Sequence, residues 1–234
     1  MTDGRDVTMT GNILITGGAS GLGRATAAAV AKDGGRPLVI DLGEPEAGVD
    51  HVRADLSDRE QAERAVRELA DRAGGLDGVV TAAGIDSCGR LEDVPADAWE
   101  RVIRVNLMGT AAVVRAALPY LRRSGGTVVT VASTLGIKAV SDATAYCAAK
   151  FGVVGFTRAL AAELAGDVGV TLLIPGGMRT GFFDDRDEQY KPGPDAQLNQ
   201  PEDVAATILF ALRQPRGCEV RELVVCASAE TSWP

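Results

Sequence analysis

Tyr146 and Lys150 stand four residues apart in a stretch, residues 143–165, that is rich in strong helix formers. On a helix, positions i and i+4 share a face, so a phenol and an ammonium there can converge on one bound molecule. A nearby ammonium favours phenolate, which predicts a tyrosine pKa lowered toward neutrality. A shift from ~10 to ~7 corresponds to roughly 4 kcal/mol of differential interaction. A phenol tuned in this way can give a proton to a carbonyl oxygen, or take one from an alcohol, near physiological pH. Ser133 follows the apolar run 127–132, which reads as a buried strand. A hydroxyl at the C-terminal end of a parallel strand sits where ligands bind in open α/β sheets. Tyrosine and lysine at this spacing also make an ordinary amphipathic surface pair, so the pattern gains its weight from the elements upstream.

Those elements begin with a short apolar strand at residues 13–15, followed by the turn Thr16-Gly17-Gly18-Ala19-Ser20-Gly21-Leu22-Gly23 and an alanine-rich helix ending near Lys32. Strand, glycine turn and helix form the setting of a dinucleotide loop: glycines let the backbone approach a pyrophosphate, and the helix N-terminus faces its charge. Residues 36–41 read as a second strand ending in Asp41, whose carboxylate can accept hydrogen bonds from a ribose diol and would repel a 2′-phosphate. This favours NAD over NADP, with Arg24 and Arg36 as the residues that could act the other way.

Further along, residues 49–54 read as a third strand, and Ser57 as the N-cap of a charged helix over 58–72 with Glu60 in the third position. Residues 76–84 give a fourth strand and a small-residue turn, Ala82-Ala83-Gly84, that admits a flat ring and ribose. Long helical periodicity covers 95–121, with Asn106 and Gly109 inside it; both are costly there unless they serve a contact at a local distortion. A fifth strand leads to Ser133. A sixth, at 168–174, leads to the loop Pro175-Gly176-Gly177-Met178-Arg179-Thr180. Residues 182–200 are polar and proline-broken, as expected of a mobile lid near strand ends. A helix opening at Pro201 and a strand at 221–226 complete the chain.

The bulk properties fit one α/β domain over residues 12–234, with a substrate lid at about 181–200 and a polar tail at 1–11 in which Met9 is an alternative start. The net charge, 24 − 32 = −8, argues against nucleic acid and against anionic membranes as partners. Apolar runs are too short to span a bilayer, and the N-terminus lacks the basic-then-apolar pattern of a signal peptide. The four cysteines form no Cys-x-x-Cys pair, which suits free thiols in a reducing cytoplasm. The single histidine, His51, disfavours a histidine metal site or a Ser-His-Asp triad, and no metal is expected.

With these residues laid out, the chain resembles the short-chain dehydrogenase/reductase family over nearly its whole length. The resemblance is carried by Thr16-Gly17-x3-Gly21-x-Gly23, Asp55, Ala82-Ala83-Gly84, Asn106, Ser133, Tyr146-x3-Lys150 and Pro175-Gly176. It implies a Rossmann-like doubly wound parallel sheet of seven strands, order 3-2-1-4-5-6-7, flanked by helices. It also implies homodimers or homotetramers built through the helices that carry Asn106 and Tyr146. In the family's terms Tyr146 is the general acid/base, and Lys150 binds the nicotinamide ribose and holds the tyrosine pKa down. Ser133 holds the reacting oxygen, and Asn106 supports a water relay through Lys150. The cofactor contacts implied are Gly17, Ser20, Gly21, Leu22, Gly23, Asp41, Asp55, Leu56, Ala82, Ala83, Gly84, Pro175, Gly176, Met178 and Thr180, besides Tyr146 and Lys150. Two departures stand out. Thr81 replaces the usual asparagine of the turn, where its hydroxyl can still bond locally, and Gly177-Met178-Arg179 replaces a commoner x-Val/Ile-x sequence.

The expected activity is NAD(H)-dependent interconversion of a secondary alcohol and a ketone on a small molecule. The pocket is expected among Ile85, Asp86, Leu135, Ile137, Asp142, Met178, Phe182 and Phe183, a mixture that suits a polyol, cyclitol or sugar as well as a hydrophobic ketone. One alternative is a 3-oxoacyl-carrier-protein reductase, which needs basic docking residues such as Arg122 and Arg123. Another is a non-catalytic NAD(H)-sensing regulator, which the complete Asn-Ser-Tyr-Lys set disfavours.

Overall fold

The computed structural model describes residues 10–230. Seven strands form one all-parallel sheet in the order β3-β2-β1-β4-β5-β6-β7. They are β1 Asn12–Thr16, β2 Arg36–Asp41, β3 Asp50–Arg53, β4 Gly78–Thr81, β5 Thr127–Val131, β6 Gly169–Pro175 and β7 Glu222–Val225. The helices are α1 Gly21–Lys32, α2 Arg59–Ala73, α3 Ala96–Ile103, α4 Thr110–Ser124, α5 Thr144–Glu163 and α6 Pro201–Leu212.

Both sheet faces are covered, so the strands read as continuous apolar runs. Alternation along each strand then assigns side chains to one of two cores. Ile13, Ile15, Val39, Val80, Val129 and Leu173 pack with Leu22 and Val30 of α1 and with Val204 and Ile208 of α6. Leu14, Leu38, Ile40, Val79, Val128 and Val170 face the other way, onto α2, α4 and α5. Among the described residues, the helical stretch Ala96–Ser124 is long and apolar enough to cross a membrane; 56% of its most apolar window is buried in the fold, where α4 packs on α2.

Two local readings are revised. The cap of α2 is Asp58, whose carboxylate accepts from the amides of Glu60 and Gln61 at 2.9 and 3.1 Å. A carboxylate one residue closer to the helix outcompetes the Ser57 hydroxyl, and the helix starts at Arg59. The long helix predicted over 95–121 is two helices joined by π-helical turns at Arg104–Gly109, the distortion that Asn106 and Gly109 signalled. A β-carbon on Gly109 would meet the Leu56 carbonyl oxygen at 2.7 Å, so this position lets α2's approach segment and the long helix touch. Most of the polar tail, residues 1–9, lies outside the described residues.

Because the sheet is parallel, Thr16, Asp41, Thr81, Val131 and Pro175 all end on one edge. Strand order reverses between β1 and β4, and a crevice opens there at the carboxyl ends.

Candidate active site

The crevice is a cavity of about 1170 Å³ running from Asp41 past the glycine loop to Phe182. At one end the loop before α1 makes a cradle. Gly17 has φ +74°, and a β-carbon there would sit 2.8 Å from the Ala83 Cα; one on Gly23 would sit 2.1 Å from the Gly17 carbonyl oxygen. Side chains at these places would collide with the protein's own backbone, so the two glycines let the loop close tightly on the floor turn and on itself. The Ser20 hydroxyl does not cap α1, and no acidic residue occupies its first turn. Among the described residues, the first turn of α1 thus has neither a side-chain cap nor an acidic residue of its own, an arrangement that suits an anion.

Asp41 accepts from the amides of Ala19 and Gly43, both at 2.9 Å, one on each carboxylate oxygen. A carboxylate has about four acceptor sites, so it can tie down the glycine loop and still receive two hydroxyls. Arg36 is held by Asp50 through bonds of 2.9 and 2.6 Å, which turns its charge away from the crevice. Asp55 accepts from the Ser57 amide at 2.9 Å and from Arg101 at 3.1 Å. Burial works to raise its pKa, but these hydrogen bonds and the guanidinium hold it below the usual carboxylate range. Leu56, Ala54 and Ile40 give this end apolar walls. Ala82, Ala83 and Gly84 form the floor, with the Ala83 amide donating to the Thr16 hydroxyl at 3.1 Å. Among the described residues, the buried Thr81 hydroxyl has no hydrogen-bond partner, so the local bond open to it is not made.

Tyr146 and Lys150 lie one turn apart on α5, and the Ser133 hydroxyl hydrogen-bonds the phenol. Ser133 also caps the short helix Thr134–Gly136, accepting from the Leu135 amide at 3.1 Å, which fixes its rotamer. The Lys150 ammonium donates to the Val131 carbonyl at 2.9 Å and sits 5.5 Å from the centre of the Tyr146 ring. Asn106 is 1% exposed, and both its amide atoms are spent on Ile85: Oδ1 accepts from the Ile85 amide and Nδ2 donates to its carbonyl, each at 2.8 Å. This clamp holds the floor turn. A β-carbon on Gly84 would meet Asn106 Oδ1 at 3.6 Å and the Lys150 ammonium at 3.7 Å, so the missing side chain leaves a gap bordered by both groups.

The expected lowering of the Tyr146 pKa is reversed. Burial pushes the phenol well above its ordinary value, and the Asp86 carboxylate adds to this; the Ser133 hydrogen bond and Arg186 oppose it without prevailing. Burial likewise pushes Lys150 down to about 8, with Asp86 opposing. Burial is the largest influence on the phenol, and Tyr146 stays protonated at neutral pH.

Of the predicted pocket residues, Ile85, Asp86, Leu135, Met178, Phe182 and Phe183 line the cavity, as do all the predicted cofactor contacts. Ile137 and Asp142 do not. Ile137 packs inward against a core cluster containing Val153 and Leu172. Asp142 has φ +58° and bonds Gly89 through its backbone, so it shapes the loop before α5. The sequence reading missed Arg186. Its guanidinium is stacked 5.1 and 4.7 Å from the rings of Phe182 and Phe183, and it bridges Asp86 at 2.7 Å. One basic residue set i+4 from Phe182 within an acidic run was the available signal. Arg101 and Glu230 were also missed; Glu230 accepts from the Gly177 amide at 3.0 Å.

Comparison with known proteins agrees with this geometry. The short chain dehydrogenase family pattern matches residues 11–191. The chain belongs to that family. It is 32% identical over 216 residues to a 3-oxoacyl-[acyl-carrier-protein] reductase of Thermotoga maritima, covering 84% of this chain and 88% of the relative. It is 34% identical over 185 residues to the D-beta-hydroxybutyrate dehydrogenase of Rhizobium meliloti, covering 72% and 71%. An alcohol dehydrogenase structure from Thermococcus sibiricus, complexed with 5-hydroxy-NADP, superposes with a TM-score of 0.82 at 25% identity, covering 92% of this chain and 95% of that one. The chain is therefore a short-chain dehydrogenase/reductase oxidoreductase acting on CH–OH donors.

Proposed function

We propose that this enzyme interconverts a secondary alcohol and a ketone on a small organic molecule, using NAD(H), with Tyr146 as the general acid/base. The observation that carries this reading is the placement of Ser133, Tyr146 and Lys150 on one cavity with the glycine cradle. The related enzymes named above act on a 3-oxoacyl chain and on D-beta-hydroxybutyrate, which supports an alcohol–ketone pair here. The nicotinamide, when bound, supplies the hydride acceptor or donor.

The protein's own part is position and proton transfer. Ser133 and the Tyr146 hydroxyl both face the position of the reacting oxygen, and the buried phenol holds a proton ready for a carbonyl. Lys150, anchored on Val131, faces the ribose side. Asn106 fixes the floor by clamping Ile85 and stands beside Lys150 for a water relay. Gly17, Ser20, Gly21, Leu22 and Gly23 take the pyrophosphate, and Asp41 the adenosine ribose. Asp55, Leu56 and Arg101 frame the adenine, and Pro175, Gly176, Met178 and Thr180 wall the nicotinamide. Asp41 and the tethering of Arg36 support NAD over NADP. The segment 181–200 is the lid of a single domain. Exposed Met108 and Phe151, on the helical segments that carry Asn106 and Tyr146, support a homodimer or homotetramer, and the four unpaired cysteines support a cytoplasmic setting.

A second reading, reduction of a 3-oxoacyl group on a carrier protein, is favoured by the Thermotoga relative. It is opposed by the surface: Asp167 stands 4.0 Å from Arg122 and offsets part of the positive charge that an acidic partner would need. Incubating the purified protein with panels of alcohols and ketones and each cofactor, following cofactor absorbance, tests the proposal. Turnover of a small secondary alcohol or ketone with NAD(H) supports it. Cofactor binding with no turnover of any compound would make the chain a sensor instead.

A further inference from the structure

The half of the cavity beyond Tyr146 has an unusual balance of charge. Asp86, Asp185, Asp187 and Asp195 line it, against Lys150 and Arg186. Neither cation is idle. Lys150 donates to the Val131 carbonyl, and Arg186 is bound to Asp86 at 2.7 Å, with the two side chains only 18% and 5% exposed. Arg186 Cζ lies 5.1 and 4.7 Å from the ring centres of Phe182 and Phe183, whose planes stand at 86° to each other, so two aromatic rings border the guanidinium. The Ser87 amide, at 2.7 Å, and the Cys88 thiol, at 3.3 Å, also donate to the Asp86 carboxylate. The buried Arg186 Nε has no hydrogen-bond partner among the described residues, so an anion reaching it would share the guanidinium with Asp86 and weaken a buried ion pair, which is unfavourable. It would also meet three further carboxylates on the lid.

We propose that the Asp86–Arg186 pair sets substrate choice, admitting alcohols and ketones that carry no negative charge and rejecting those with a carboxylate close to the reacting carbon. The proposal rests on the reading of this cavity as the reaction site and names the class of substrate it takes. Neutral oxygen groups remain welcome, because hydroxyls can donate to the lid carboxylates without displacing either partner of the pair.

Matched ketones differing only in charge test it: acetoacetate against methyl acetoacetate, and levulinate against methyl levulinate. Wild-type kcat/KM should favour each ester by at least about tenfold, equivalent to about 1.4 kcal/mol. Asp86→Asn frees the guanidinium and should narrow or invert the ester-to-acid ratio. Arg186→Gln leaves the carboxylate uncompensated and should widen it. Opposite shifts in the two variants are the signature of charge selection, since damage to the fold would weaken ester and acid together. Kd values for the same pairs with the protein–cofactor complex, by calorimetry, give the ratio independently of turnover. A ratio found in binding without turnover would sink the proposed reaction and leave the charge rule standing. Acids used or bound as well as their esters, variants that shift in one direction, or no binding of either partner of both pairs would overturn the charge rule.

Discussion

Lys150 carries its charge at a cost to the fold, and that cost can be measured. The residue is 4% exposed, its ammonium bonded to the Val131 carbonyl, and burial pushes its pKa from 10.5 to about 8. The gap, 10.5 − 8 = 2.5, corresponds to roughly 3 kcal/mol. Its sign is fixed by linkage. Below about pH 8 the lysine is protonated in both folded and unfolded chains, and the folded state bears the whole penalty. Between 8 and 10.5 the unfolded chain keeps a proton that the folded chain has released, so stability rises with pH. Above 10.5 the penalty is gone. Lys150→Met removes this dependence while keeping most of the side-chain volume. Urea unfolding of wild type and variant from about pH 7 to about pH 10.5, at fixed ionic strength, isolates the effect from other titrations. The wild type should gain roughly 2–3 kcal/mol relative to the variant across that window. Parallel stability curves, or a relative loss in the wild type, would refute the reasoning and mean that the ammonium is solvated in solution.

The other predictions concern cofactor and lid. Asp41→Ser should weaken NAD, relieve NADP and loosen the glycine loop, narrowing the ratio of kcat/KM between the two cofactors by about tenfold or more; an unchanged ratio would reduce Asp41 to its bonds with Ala19 and Gly43. Hydrogen exchange in residues 182–197 should slow when cofactor and a turned-over substrate are both present, while Asn199, already paired with Gly177 and Arg179, should change little. Equal protection with and without ligands would leave 182–197 a static surface segment.

The parts of the site that were legible in the sequence are those written locally. The glycine turn of β1 and α1, the floor turn after β4, and the i, i+4 pair on α5 each follow from one element and its neighbour. Asn106 announced its distortion because an amide inside an apolar helix has to find partners, and it found Ile85. What stayed hidden depends on distant closure. Arg186 meets Asp86 across 100 positions of chain, and Arg101 meets Asp55 across 46; no local pattern writes such pairs. The Tyr146 pKa went the opposite way for the same reason. Spacing shows that an ammonium is near, but the burial that dominates comes partly from Phe182, whose ring centre lies 5.7 Å from that of Tyr146. Ile137 and Asp142 were misplaced because residues flanking a site share its composition without facing it.

The central claim is that the Tyr146 hydroxyl delivers the proton. Tyr146→Phe keeps the ring that packs on Phe182 and removes only that hydroxyl. Cofactor Kd and the single-turnover rate of ketone reduction, measured side by side in wild type and variant, test it most directly. The account predicts a Kd within about threefold of wild type and a rate lower by at least about a hundredfold. A variant that binds cofactor normally and still reduces ketone within about tenfold of the wild-type rate would contradict it.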